Sequence, residues 1–134
     1  AFVLGKKVAE TSLAPGDHGT TYGGNPFVCA AVSKVFDLYE KEQIVDHVQK
    51  VGAYLEEKLN VLVDKYDFLK ERRGKGLIQG LEVEGRPVGE IVNRALEHGL
   101  IIITAGSNVL RFVPPLVITN ADVDEMIKKL ESCF

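Results

Sequence analysis

The segment from Gln43 to Tyr66 constrains the fold of this 134-residue chain more than any other. Its apolar residues recur in steps of three and four positions, namely Ile44, Val48, Val51, Leu55, Leu59, Leu62 and Tyr66. This spacing is typical of an α-helix that buries one face and leaves charged residues such as Glu56 and Lys58 in water. Since a long apolar stripe must be covered, the rest of the chain has to supply a second layer.

Capping signals predict three further helices. Asn25 is suited to cap a helix whose first position is Pro26, and apolar residues follow with helical spacing. Pro87 opens a shorter helix, which ends at a glycine. Thr119, with Asp122 three residues later, resembles a capping box that begins the last helix.

The strand signals lie between these helices. Residues 72–83 are predicted as one strand interrupted by glycines. Residues 100–104 and 109–113 are short apolar runs joined by Ala105-Gly106-Ser107-Asn108, which is typical of a hairpin. The order of elements therefore predicts an α+β domain, with a small, mainly antiparallel sheet and helices packed on it.

Composition excludes several classes of function. The net charge is −3 with scattered basic residues, which argues against nucleic-acid binding. No apolar run approaches the ~20 residues that span a membrane. The two cysteines and three histidines lack metal-ligand spacing, so no metal site is predicted, and we expect reduced thiols in a cytoplasmic protein. Cys133 falls at a helix end that we expect to fray.

The first residues differ in character from the rest. The chain opens without Met in an apolar stretch, which suggests truncation, since domains more often begin with polar residues. Residues 5–24 are rich in Gly, Ser, Thr and Pro without a sustained period, so they are predicted as a loop. A loop of this length is more often functional, or held by a missing partner, than idle.

The end of this loop is a candidate anion site. Thr20 and Thr21 lie among glycines immediately before the helix that starts at Pro26. Free backbone N–H groups and the helix dipole favour an anion there, and a phosphate suits the arrangement. The segment is neither a Walker loop nor a dinucleotide fingerprint. The alternative is a connector whose hydroxyls only cap the helix.

Arg111 is the second candidate, because arginine is uncommon in so apolar a strand as residues 109–113. A buried guanidinium must find an anion or lose hydration free energy. A substrate carboxylate would be a natural bidentate partner. The alternatives are an exposed position or pairing with an internal carboxylate.

A third basic group is Arg72, Arg73 and Lys75. These side chains could guide an anionic ligand, but a solvated entry into a strand is the simpler interpretation.

Together these segments resemble the class III pyridoxal-phosphate aminotransferases, the subgroup that includes acetylornithine, ornithine and 4-aminobutyrate aminotransferases. The matching blocks occur in family order along almost the whole chain, and their sequences are most similar to those of the acetylornithine branch. They are Ala1-Phe2-Val3-Leu4, His18-Gly19-Thr20-Thr21-Tyr22-Gly23-Gly24-Asn25-Pro26, Arg73-Gly74-Lys75-Gly76-Leu77, Ala105-Gly106-Ser107-Asn108 and Leu110-Arg111-Phe112-Val113-Pro114-Pro115-Leu116.

The resemblance implies the carboxy-terminal part of a fold type I enzyme that binds pyridoxal 5'-phosphate and works as a homodimer. Thr21, with Thr20 beside it, would contact the cofactor phosphate across the dimer interface, and Arg111 would hold the substrate's α-carboxylate. The implied domains are residues 1–24 as the tail of the cofactor-binding domain and phosphate loop, 25–42 as a linking helix, and 43–134 as the small domain.

The resemblance also implies what is missing. In the family the Schiff-base lysine lies shortly before the segment matching Ala1, whereas Lys6 and Lys7 come after it. No catalytic residue is therefore assigned, and the chain alone is expected to be inactive. The implied parent reaction moves an amino group from N-acetylornithine to 2-oxoglutarate in arginine biosynthesis.

Two alternatives remain open. Within the family, the amino donor could be ornithine, succinylornithine or 4-aminobutyrate, because the deciding residues lie mostly upstream. Outside it, a non-catalytic ligand-binding α+β module would be a complete chain with its own pocket. The truncated enzyme instead predicts an exposed apolar surface at residues 1–24.

Overall fold

A computed structural model describes residues 5–12, 14 and 16–134, so the apolar opening of residues 1–4 lies outside the described part. Contacts divide the chain into a first unit that ends at Leu38 and a second from Tyr39 to Phe134. The described elements, in chain order, are α1 (Lys6–Ser12), α2 (Pro26–Lys41), α3 (Ile44–Lys65), β1 (Leu69–Lys75), β2 (Ile78–Val83), α4 (Val88–Glu97), β3 (Ile103–Ala105), β4 (Val109–Phe112) and α5 (Asn120–Glu131).

The four described strands form one antiparallel sheet in the order β1-β2-β4-β3. The prediction of a single strand over 72–83 is wrong, because β1 and β2 are the two arms of a hairpin. Gly76 reverses the chain between them with a φ of 57°, a left-handed conformation that glycine adopts without steric cost. The hairpin predicted for β3 and β4 is confirmed.

One face of the sheet forms the hydrophobic core with the apolar side of α3. Leu55 and Leu59 of α3 are fully buried, as are Leu81 of β2 and Leu110 of β4. Burying one such side chain contributes ~1.5–3 kcal/mol. Residues of α4 and α5, such as Leu130, complete the cluster. The predicted α+β class and the covering of the α3 stripe are therefore confirmed.

The prediction that residues 5–24 form a loop is wrong at its start, because α1 occupies Lys6–Ser12. None of its residues is buried, and local bonds hold it. The Thr11 hydroxyl donates to the Lys7 carbonyl at 3.0 Å, and the Ser12 hydroxyl donates to the Val8 carbonyl at 2.6 Å. The apolar residues of α1 are only the adjacent pair Val8 and Ala9, so the segment has no apolar period from which the helix could be predicted.

The capping signal of the last helix agrees with the structure, whereas the start of β3 and the state of Cys133 differ from the prediction. The capping box at Thr119 is confirmed. β3 begins at Ile103, later than predicted, because the chain at Leu100 still closes the end of α4: the Leu100 backbone N–H donates to the Ala95 carbonyl at 2.8 Å. Cys133 is not frayed: it is fully buried, and its thiol donates to the Lys129 carbonyl at 3.1 Å.

Among the described residues of the first unit, α2 exposes more large apolar residues than residues 5–24 do. Within residues 5–24 the large exposed ones described are Val8 and Tyr22, whereas α2 exposes more of them, including Phe27 and Phe36. The prediction for 1–24 falls partly on residues 1–4, which lie outside the described residues, and it stays a prediction; α2 adds exposed apolar residues to it, since none of its residues is buried. No helix in the part of the chain that the structure describes is long and apolar enough to cross a membrane.

Candidate functional site

Arg111 lies on the open face of the sheet, opposite to the hydrophobic core. Its neighbours in β4, Leu110 and Phe112, are buried, and side chains alternate along a strand, so the side chain of Arg111 points outward. Across the sheet it is in register with Gly80 of β2 and Ile103 of β3. The burial of Leu110 and Phe112 therefore places the Arg111 guanidinium on the solvent-exposed face of the sheet.

The charge of Arg111 has no protein counterion within the described residues. None of the carboxylates there forms an ion pair or hydrogen bond with its guanidinium. Of the sequence alternatives, the exposed position is the one observed. An exposed, unpaired guanidinium presents a planar fork of donors that matches a carboxylate.

Arg72 is paired with side chains of the protein and is not a free cation in solvent. Its guanidinium contacts Glu56 at 2.6 Å, Asn60 at 3.0 Å and Gln79 at 2.9 Å. Gln79 is buried and donates in turn to the Gly76 carbonyl at 2.8 Å. This network ties the β1–β2 turn to α3, so the solvated-entry interpretation is wrong for Arg72.

Arg73 is exposed but paired. Its guanidinium contacts the Glu82 carboxylate at 2.8 Å and that of Glu71 at 3.7 Å. Glu82 also accepts a hydrogen bond from the Asn108 side chain at 3.1 Å. The basic group that the sequence singled out therefore contributes mainly to internal pairing.

Thr20 and Thr21 lie in the first unit, exposed to solvent before α2. The helix is capped by Asn25, whose side-chain oxygen accepts from the Val28 N–H at 3.0 Å and whose side-chain nitrogen donates to the Tyr22 carbonyl. The alternative in which the threonine hydroxyls cap the helix is therefore not observed. Neither hydroxyl has a hydrogen-bond partner in the described part of the chain.

Thr20 lines an open groove of about 820 Å³ within the first unit, together with the amino-terminal half of α2. Its lining residues are His18, Thr20, Gly23, Gly24, Val28, Cys29, Val32, Ser33 and Phe36. A hydroxyl is one donor and accepts two hydrogen bonds, so the exposed threonines suit an anion with several oxygens, such as phosphate. Thr20 and Thr21 belong to one unit and Arg111 to the other.

The sequence pattern did not indicate Gln79 or Glu82. Both lie in β2, where burial alternates strictly from Ile78 to Val83. Recognition of the hairpin would have placed Gln79 inside and Glu82 outside. Among the described residues, no group of three or more His, Cys, Asp or Glu side chains could hold a metal ion.

Comparison with known sequences gives a match to one family and to named relatives. The family described as "Aminotransferase class-III" matches residues 1–134. An acetylornithine aminotransferase of Caldanaerobacter subterraneus subsp. tengcongensis is 44% identical over 133 residues, which is 97% of this chain and 34% of that protein. One from Gloeobacter violaceus is 43% identical over 129 residues, covering 96% of this chain and 32% of its own length.

Comparison with solved structures agrees. The crystal structure of an acetylornithine aminotransferase from Elizabethkingia anophelis superimposes with a TM-score of 0.79 at 30% identity. The match covers 90% of this chain and 31% of that one. The chain thus spans about a third of the length of the curated relatives it matches.

Proposed function

Because this chain belongs to the class-III aminotransferases over residues 1–134, we propose that it acts in a pyridoxal-phosphate-dependent transfer of amino groups. The observation that carries the proposal is Arg111, an exposed guanidinium with no carboxylate partner among the described residues. A substrate α-carboxylate supplies the anion, and two parallel N–H···O bonds fix its orientation. Orienting the substrate in this way lowers the entropic part of the barrier.

We propose N-acetylornithine as the amino donor and 2-oxoglutarate as the acceptor, giving N-acetylglutamate 5-semialdehyde and glutamate in cytoplasmic arginine biosynthesis. The name shared by the relatives supports this choice. Donor and acceptor each carry a carboxylate next to the reacting carbon, so one arginine can hold both in turn.

The exposed hydroxyls of Thr20 and Thr21 fit the phosphate of the cofactor, since they are donors without a protein partner in the described part of the chain. When bound, pyridoxal phosphate acts as an electron sink for the substrate's α-carbon. Lys6 and Lys7 lie on α1, and Lys6 pairs with Glu10. We assign the covalent attachment to a lysine outside this sequence, so these 134 residues alone are not expected to transfer amino groups.

We further propose that residues 1–24 accompany the cofactor-binding domain, that 25–42 link the domains, and that 43–134 frame the substrate cleft of a homodimer. The support is the distribution of apolar residues. Among the described residues, the hydrophobic core draws on those of the second unit, whereas α2 exposes large apolar side chains that a covering partner would bury.

The test is Arg111→Ala in the enzyme loaded with cofactor. Loss of the charged partner should raise KM for both the amino donor and 2-oxoglutarate and lower kcat/KM about 10²- to 10³-fold. Arg111→Lys keeps the positive charge but loses the planar pair of donors. Its kcat/KM should therefore lie between those of the wild type and Arg111→Ala.

Arg94→Ala is the matched control, because Arg94 is likewise exposed and has no ion pair within the described residues. It should leave both KM values unchanged. Unaltered kinetics in Arg111→Ala would remove Arg111 from the site and overturn the proposal.

A further inference from the structure

Glu82 is the carboxylate placed to neutralise Arg111. Both side chains belong to the open face of the sheet, on the neighbouring strands β2 and β4. Gly80 is paired with Arg111 and Glu82 with Val109, so Glu82 and Arg111 are diagonal neighbours. Diagonal positions are about 7–8 Å apart at the backbone, within reach of long side chains. An Arg–Glu pair across this diagonal is therefore within reach, yet it is not formed.

Both oxygens of Glu82 are engaged elsewhere. One accepts from the Arg73 guanidinium at 2.8 Å and the other from the Asn108 side-chain amide at 3.1 Å. Arg73 comes from β1 on one side and Asn108 from the β3–β4 turn on the other. The carboxylate is thus held by two donors that both compete with Arg111.

The Val109 side chain contributes to keeping the two groups apart. A Cβ added at Gly80, which is in register with Arg111, would lie 3.0 Å from Val109 Cγ1, so the Val109 side chain lies over Gly80, between Glu82 and Arg111. Glu82 is half-buried, so its carboxylate is still reached from solvent on this face. The two hydrogen bonds of Glu82 add to the effect of Val109 in opposing a move toward Arg111.

We propose that Arg73 and Asn108 are positioning residues that hold Glu82 away from Arg111, so that the guanidinium stays available for the substrate carboxylate. The inference rests on the proposed function of Arg111. Glu82 and the substrate carboxylate would otherwise compete for the same fork of donors, and the internal group is always present. Arg73 also offsets the repulsion between Glu71 and Glu82, which lie directly opposite each other.

The test uses Arg73→Met in the enzyme loaded with cofactor, because Met keeps an unbranched apolar stem similar to that of Arg and removes the guanidinium donors. KM for the donor and for 2-oxoglutarate should rise about three- to fivefold with little change in kcat, the range typical of an exposed ion pair. A second substitution, Glu82→Gln, removes the competing charge and should restore both KM values. If Arg73 had only a structural role, Glu82→Gln would not lower the raised KM values of Arg73→Met.

Two further measurements keep the inference testable if Arg73→Met folds poorly. Asn108→Ala removes the other donor and should raise KM in the same direction, again relieved by Glu82→Gln. A crystal structure of either single variant should show the Glu82 carboxylate paired with Arg111.

The outcomes separate this inference from the function it rests on. Unchanged KM values in Arg73→Met and Asn108→Ala, or a rise that Glu82→Gln does not relieve, overturn it. If Arg111→Ala still raises KM in that case, the carboxylate role of Arg111 stands alone. If Arg111→Ala has no effect, both fail.

Discussion

At Gly52, α3 comes into direct contact with the turn between β1 and β2. A Cβ added there would lie 2.9 Å from the backbone of Gly76, closer than side chains approach. The turn cannot move away freely from α3, because the Gly76 carbonyl accepts a hydrogen bond from the side chain of the buried Gln79. One missing methyl group thus sets the distance between the helix and the hairpin that carries Glu82.

Gly52→Ala is expected to destabilise the protein by ~1–3 kcal/mol, because overpacking against backbone outweighs the ~1 kcal/mol gained in helix propensity. Gly89→Ala is the matched control: Gly89 lies in α4, and a Cβ there meets nothing within 4 Å. It should stabilise by ~0.5–1 kcal/mol. Urea unfolding of both variants measures the difference, and equal stabilisation would contradict the contact.

At the scale of elements, α5 depends on its first turn. The Thr119 N–H donates to the Asp122 carboxylate at 2.7 Å, and the Asp122 N–H donates to the Thr119 hydroxyl at 3.3 Å. These bonds satisfy N–H groups that a helix start leaves unpaired. The helix then buries Val123 and Leu130 in the core, so a local cap supports a tertiary contact.

Thr119→Ala should therefore cost ~1 kcal/mol of stability.

The backbone N–H of Thr119, and then its hydroxyl, lower the pKa of Asp122 below its ordinary value of 3.8. Because the folded pKa is lowered, the carboxylate's contribution is present above pH 3.8 and is lost as the pH falls below it. The stability difference between the wild type and Asp122→Asn should shrink from pH 7 to pH 3 in urea unfolding. A difference independent of pH would refute this assignment.

At the scale of the whole molecule, the two units differ in how they are stabilised. Among the described residues up to Leu38, none is buried, whereas the second unit contains the hydrophobic core. Stability arises mainly from burial, so the free energy of unfolding should reside in residues 39–134.

A chain comprising Tyr39–Phe134 should accordingly unfold with a free energy within about 0.5 kcal/mol of the full 134 residues. Removal of residues 120–134 is the control, because it deletes α5 with its buried Val123, Leu130 and Cys133. That chain should lose cooperative unfolding in circular dichroism. A large loss of stability in the chain from Tyr39 would show that the earlier residues contribute to the core.

Much of the fold was predictable because its signals are local. The α3 stripe, the Asn25 cap and the capping box at Thr119 each depend on residues within a few positions of one another. The α1 helix was not predictable in this way, since its seven residues contain no apolar period. The candidate site residues Thr20, Thr21 and Arg111 came from sequence motifs, and their roles remain proposals.

The α+β class and the family follow from the sequence alone, whereas the site residues that it indicates remain predictions. Tertiary structure alone decided that residues 69–83 fold as a hairpin, that Arg72 turns inward to Gln79, and that Glu82 binds Arg73 instead of Arg111. The physical reason is that helix caps and apolar periods act between near neighbours in the chain. Pairing across strands depends on register and burial, which bring together residues such as Glu82 and Asn108 that are distant in sequence.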